Sequence, residues 1–332
     1  MSMPPAPSQL HFRAVLSESK RIINAHSRHF LALSVIFLLP LSFSLIVYPT
    51  LQQLLTDSVT NESQILFLVT YQDQPINTKT LLLPLAYIVF VFIFSLCAVG
   101  TISYSVIHAF YGRPVKLISA IKSILSSFFP LLITFVVSQI IIFFITVVFG
   151  MLLFFVIIGI EFLGFQIDYS SPYFIGFLVM LLLVLLIVLV YLQVNWTLVC
   201  VIAVVESSWG LEPLRRSKSL IKGVRGVALT LLLFFGSFAG ILMLGSLVSA
   251  VGSDGIGDGW KSWAFVVQIV VTSAFLVLLM LYNAAANTVL YMYCKAIHGE
   301  LAMEIAEEFS KEYVSLPFDD GKVPHVVSVA CI

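Results

Sequence analysis

The chain has 332 residues, 60% of them hydrophobic and 10% charged, against roughly 45–50% and 25% in soluble domains, so most of its surface faces something other than water. Its 17 basic and 17 acidic residues cancel, which removes the charge excess that nucleic acid or an acidic substrate would require. The composition predicts an all-α integral membrane protein, because backbone groups in lipid must bond within their own segment and no apolar run alternates as a barrel strand would.

In chain order, residues 1–29 form a basic N-terminal segment carrying Arg13, Lys20, Arg21 and Arg28. Phe12, Val15, Leu16, Ile22 and Ile23 stand opposite Arg13, Glu18, Lys20 and Arg21. That is the pattern of an amphipathic helix lying apolar face down in the headgroup layer, with basic side chains on phosphates. His26 and His29 have no Cys or acidic partner at ligand spacing, so no metal is expected, and no cofactor.

Residues 30–293 follow as a six-helix transmembrane domain, with spans near 30–49, 81–111, 129–160, 173–205, 227–251 and 263–293. Each is long enough for a hydrocarbon core of about 30 Å. None holds an Asp, Glu, Lys or Arg in its interior. The first is too long, and starts too far along the chain, to be a cleaved leader. Pro40 inside it removes a backbone donor and predicts a kink.

The first outer connection contains Asn61-Glu62-Ser63, a glycosylation sequon,. The next connection carries Arg113, Lys116 and Lys122, with Leu117, Ile118, Ile121, Ile124, Leu125 and Phe128 as an apolar stripe. A second sequon, Asn195-Trp196-Thr197, falls inside the fourth span and is expected to be unreachable. The fourth connection sets Leu211, Leu214, Leu220, Ile221 and Val224 against Arg215, Arg216, Lys218, Lys222 and Arg225. The run from Ser253 to Gly259 lacks the lysine of a phosphate loop and the glutamate of a calcium loop, and reads as a flexible turn,.

Residues 294–332 form a tail whose first part is helix-prone and acidic: Leu301, Ile305 and Phe309 are backed by Glu300, Glu304, Glu307 and Glu308. An anionic leaflet would repel it, so it is expected to pack on the basic helices or on a partner. Fifteen of the 17 basic residues fall in the N-terminal segment, the second and fourth connections and the tail, leaving Lys79 and Lys261 on the other side. The positive-inside rule then predicts cytosolic N- and C-termini in an endomembrane (ER) or plasma-membrane protein. Cys97, Cys200, Cys294 and Cys331 all lie away from the outer loops, so no disulfide is expected. Cys294 reads as a packed thiol rather than a lipidated one.

The three basic segments also align. Leu16, Ile118 and Leu214 correspond, as do Lys20, Lys122 and Lys218, and then Ile22, Ile124 and Leu220. The fold expected is therefore three parallel repeats, each an interfacial amphipathic helix plus a helical hairpin. The segment from Trp209 through Gly210, Pro213, Arg215 and Arg216 to Ser217, followed by Leu220, Ile221, Lys222 and Gly223, resembles a cytosolic motif of multispan proteins. It is distantly similar to the membrane domain attached to some glycerophosphodiester phosphodiesterases. With the run from Tyr282 to Val289 and Tyr293-Cys294-Lys295, the whole chain resembles a plant family of uncharacterised six-span transmembrane proteins. The resemblance implies architecture rather than activity, since the soluble phosphodiesterase domain with its metal-binding acidic residues is not in this chain.

Intramembrane catalysis or ion coupling needs an ionisable group facing the bundle interior, and the spans offer only His108, which reads as a packing residue. No enzyme activity is expected. Neutral polar residues cluster instead on the returning helices: Thr101, Ser103 and Ser105; Gln193, Asn195 and Thr197; Asn283 and Asn287. They serve either as bonds between helices, helped by close packing at Gly236 and Gly240, or as a binding ring for a lipid headgroup or small polar solute. The function expected is a non-enzymatic membrane protein that binds or organises lipids or membrane-protein partners; the alternative is a carrier or channel for a neutral or amphiphilic solute. Membrane lipids and other membrane proteins are the expected partners.

Overall fold

The computed structural model describes residues 11–49, 51–52, 78–113, 117–162, 171–251 and 263–303. All regular structure among them is helical. Asn61, Lys116, the run from Ser253 to Gly259 and the tail beyond Met303 lie outside the described residues.

Helix α1 (Phe12–Ala25) ends at His26, whose φ of −122° and ψ of 38° interrupt the helical bond pattern for one residue. It buries Val15, Ser19, Ile22 and Ile23 against the helices Trp263–Ile297, Thr78–Phe110 and Arg225–Val251. The four positions recur every three to four residues, the spacing of one helical face. Helix α2 (Ser27–Pro49) follows at once. Its turn at Ser34–Leu38 is a π turn, placed immediately before the Pro40 pyrrolidine, which cannot donate to and would press on the carbonyl four residues back.

Helix α3 (Thr78–Phe110) returns beside α2, and the two are tied at the end away from α1 by Tyr48 stacked on Tyr87 with ring centroids 3.6 Å apart. Helix α4 (Leu117–Phe162) runs unbroken for 46 residues, about 69 Å at 1.5 Å per residue. It absorbs the expected interfacial segment and the span into one rod. Its apolar Ile118 and Ile121 are 81% and 40% exposed, while the small Ala120 is buried.

The fourth span is broken. Helix α5 (Pro172–Asn195) and helix α6 (Val199–Val205) flank a turn over residues 196–198. Val199 N–H bonds back only three residues, to Trp196 O at 3.1 Å, because Asn195 O is held by the Ser217 hydroxyl at 2.6 Å. The Asn195 amide itself donates to Tyr191 O at 2.6 Å, a side-chain competitor for helical bonding.

Helix α7 (Leu211–Leu220) begins after Gly210, at φ 75° and ψ −123°, a conformation that only glycine adopts without strain. Gly223, at φ 104°, lies in the turn to α8 (Arg225–Val251), and α9 (Trp263–Ile297) completes the bundle. Helix α7 buries Pro213, Leu214, Ser217 and Leu220 and rests on α6. The apolar faces of α1 and α7 are thus turned onto protein, which corrects the expectation that these helices lie apolar face down in lipid. A Cβ at Gly236 or Gly240 would meet nothing within 4 Å, so close helix approach is not what those glycines provide.

The basic segments join the spans that follow them in different ways. His26 and Gly223 break the chain after α1 and α7, whereas no glycine or asparagine stands between Leu117 and Ser127 to do the same in α4,.

Six helical stretches are long and apolar enough to cross a membrane: Ser27–Pro49, Leu82–Phe110, Ser127–Ile160, Pro172–Val205, Arg225–Ser246 and Phe265–Ile297. The protein is membrane-embedded. The main core, including Phe30, Ile102, Ile202, Leu231, Leu290 and Tyr291, gathers at the end that carries α1 and α7, called here the basic end. In the most apolar window of α4, and likewise of the fourth span, 0% of residues are buried, against 39% for α2, so those two rely on lipid to cover them.

Candidate functional site

At the basic end the returning helices bring charged groups from distant parts of the chain together. Glu206 follows the last residue of α6, Arg216 sits in mid α7, and Tyr291 and Lys295 are one turn apart on α9. Gly299, at φ 76°, turns the chain after α9 and presents Glu300. The Arg216 guanidinium lies 3.5 Å from Glu206 Oε2 and pairs with the Glu300 carboxylate. Tyr291 donates its hydroxyl to Glu206 Oε1 at 2.9 Å, and Lys295 Nζ stands 5.6 Å from the centre of the Tyr291 ring. Burial alone would lower the Arg216 pKa, but the Glu300 hydrogen bond and the charge of Glu206 outweigh it, and the net shift is upward. The cluster ties α6, α7 and α9 by charge-assisted bonds.

The neutral polar residues form pairs rather than one ring. Thr288 donates to Ser103 Oγ at 3.4 Å, and His29 Nε2 meets Ser105 Oγ at 3.0 Å. Asn287 donates to Asn283 Oδ1 at 3.3 Å along α9. Thr197 returns its hydroxyl to Gln193 O at 2.9 Å. Among the described residues no hydrogen bond joins Asn195 to Asn283 or Asn287. Asn195 Oδ1 is buried without a donor, and flipping the amide would set two carbonyl oxygens 2.6 Å apart across the Tyr191 contact, so the orphan acceptor is fixed.

The basic residues divide by surroundings. Lys20, Arg21, Lys122, Arg215, Lys218, Lys222 and Arg225 are exposed, with Arg21 bonded to Glu18 at 2.5 Å. Arg216, grouped with them by sequence, is turned to Glu206 and Glu300 instead. Arg215 and Lys218, three apart on α7, share a face of that helix, and Lys222, in the turn, and Arg225, the first residue of α8, follow them across the α7–α8 junction.

Residues 7–323 match the family described as Domain of unknown function (DUF8558). The chain belongs to this family. No curated protein and no solved structure matches it. The DUF8558 fold therefore has to be read from its own chemistry. Among its described residues no group of three His, Cys, Asp or Glu could hold a metal. An apolar groove between α3 and α4, lined by Phe92, Phe135, Val136, Gln139, Ile140 and Phe143, lies away from every polar pair above. Cys294 is fully buried.

Sequence reading missed the Glu206–Arg216–Glu300 cluster. One signal was available: Glu206 is a lone acid closing a 34-residue uncharged span, a place where an unpaired carboxylate would be costly.

Proposed function

We propose that this DUF8558 protein is a non-enzymatic membrane protein that binds or organises lipids, holding anionic headgroups on the basic row Arg215, Lys218, Lys222 and Arg225. The supporting observation is that these four side chains are exposed, Arg215 and Lys218 on α7, whose apolar face is anchored in the core, Lys222 in the turn that follows it and Arg225 at the start of α8. An anchored row presents charge to phosphates without first ordering the helix, and each basic residue near an anionic surface is worth about 1 kcal/mol. Lys20, Arg21 and Lys122 extend the cationic surface, with Lys116 next to it in sequence. The uncovered faces of α4 and α5 suit acyl chains or the spans of another membrane protein. The orientation that goes with this reading has both termini and the basic end in the cytosol of an endomembrane or plasma-membrane protein.

Thermal unfolding in neutral detergent tests the reading. Added phosphatidylserine should raise the Tm, phosphatidylcholine should not, and the rise should vanish in Arg215→Glu, Lys218→Glu, Lys222→Glu. A ligand at a hundred times its Kd stabilises by about 2.7 kcal/mol. Equal shifts with both lipids would refute headgroup recognition. One observation favours the alternative of a solute carrier: the orphan Asn195 Oδ1 at a broken span, an arrangement found at transporter sites. Uptake of a neutral solute into proteoliposomes, abolished by Asn195→Leu, would select it.

A further inference from the structure

We propose that the acidic segment 304–312 of this chain docks on the basic row of α7 and α8, where it competes with anionic lipid. The docking stands on the charge geometry alone; the competition rests on the lipid reading above.

Three observations carry it. The first is continuity: Glu300, in the last described turn, is already paired with Arg216 of α7, so the chain leaves the bundle alongside the helix that carries the row. Charge complementarity is the second. Residues 304–312 hold Glu304, Glu307, Glu308 and Glu312 against a single Lys311, and Arg215, Lys218, Lys222 and Arg225 are exposed without an ion pair among the described residues.

The third is reach. Lys218 lies two residues from Arg216 on α7, about 3 Å of helical rise, and Lys222 is four residues further, in the turn, at most about 14 Å more; from Glu300 to Glu308 is about 12 Å at helical rise and about 27 Å when extended. A segment that runs back along α7 therefore has length enough to bring its carboxylates to the row. An anionic leaflet repels the same carboxylates, so beside a membrane surface the row is their favourable neighbour. A docked segment neutralises the charges that the lipid reading requires, and a leaflet rich in anionic lipid displaces it.

Hydrogen–deuterium exchange of the full chain in phosphatidylcholine nanodiscs reads the docking directly. Amides 304–312 should exchange several-fold more slowly in the native protein than in Glu304→Gln, Glu307→Gln, Glu308→Gln, which alters nothing inside the bundle. Reversing the row with Arg215→Glu, Lys218→Glu, Lys222→Glu should also release the segment, and adding Glu304→Lys, Glu307→Lys, Glu308→Lys should restore protection. A misfolded row would not be rescued in this way. Equal exchange in the native chain and the glutamine variant overturns the docking. Phosphatidylserine nanodiscs should speed exchange of the same amides in the native chain; protection unchanged there overturns the competition while the charge swap still reports docking. If phosphatidylserine fails to raise the Tm but the swap rescues protection, the lipid reading falls and the docking remains.

Discussion

Arg216 shows how a single side chain can be misjudged by its neighbours in sequence. It stands between Arg215 and Lys218 and shares their helix, yet it is only 33% exposed and contacts two carboxylates. Removing it takes from Glu206 and Glu300 the guanidinium that they share, and hydrogen bonds to charged groups contribute about 1.5–3 kcal/mol. Its partial exposure sets the expectation at the lower end of that range. Arg216→Ala should therefore lower the Tm of the purified protein clearly, whereas Arg215→Ala, exposed, should stay within about 0.5 kcal/mol. Equal effects would show that the cluster adds nothing to stability. The sequence carried the helical face on which Arg216 lies, but its partner Glu300 is 84 residues away, and periodicity contains no information at that range.

Among the elements, legibility follows the strength of the local signal. The apolar runs are unambiguous because lipid leaves a backbone few options, and the amphipathic pattern of α1 and α7 was visible from side-chain spacing. Periodicity identified their apolar faces without saying whether lipid or protein would cover them. The break at Trp196 was hidden for a related reason: it depends on Ser217 taking Asn195 O from another helix. Glycines needed their backbone angles to be read. Gly210 stands where a side chain is strained, with its N–H bonded to Thr134 Oγ1 at 3.1 Å, while Gly236 lies in regular helix with open space around it. Gly210→Ala should cost about 1–3 kcal/mol and Gly236→Ala should be neutral or slightly stabilising, compared as Tm values in one detergent. The reverse order would mean that the turn before α7 is not fixed as described.

For the whole molecule, direction across the membrane is the property on which the proposed function depends. Fifteen basic residues fall in the N-terminal segment, the second and fourth connections and the tail, against two elsewhere, a bias from which the positive-inside rule predicts a cytosolic basic end. Expression in a eukaryotic host should then yield a glycan that disappears with Asn61→Gln and persists with Asn195→Gln. Asn195 is 3% exposed and bonded through its amide, so a glycan there would require both a different orientation and a different fold.

The concentration of packing at one end also divides mechanical duties within the bundle. The stretch Ser127–Ile160 lies within one unbroken helix and has 34 residues, about 51 Å for a hydrocarbon layer of about 30 Å. Such excess length is taken up by tilting. The far half of α4 stands out from the bonded basic end as an arm with little protein packed on it. A bilayer a few ångströms thicker or thinner should therefore change the tilt of α4, while the Glu206–Arg216–Glu300 cluster, built on other helices, should keep its geometry.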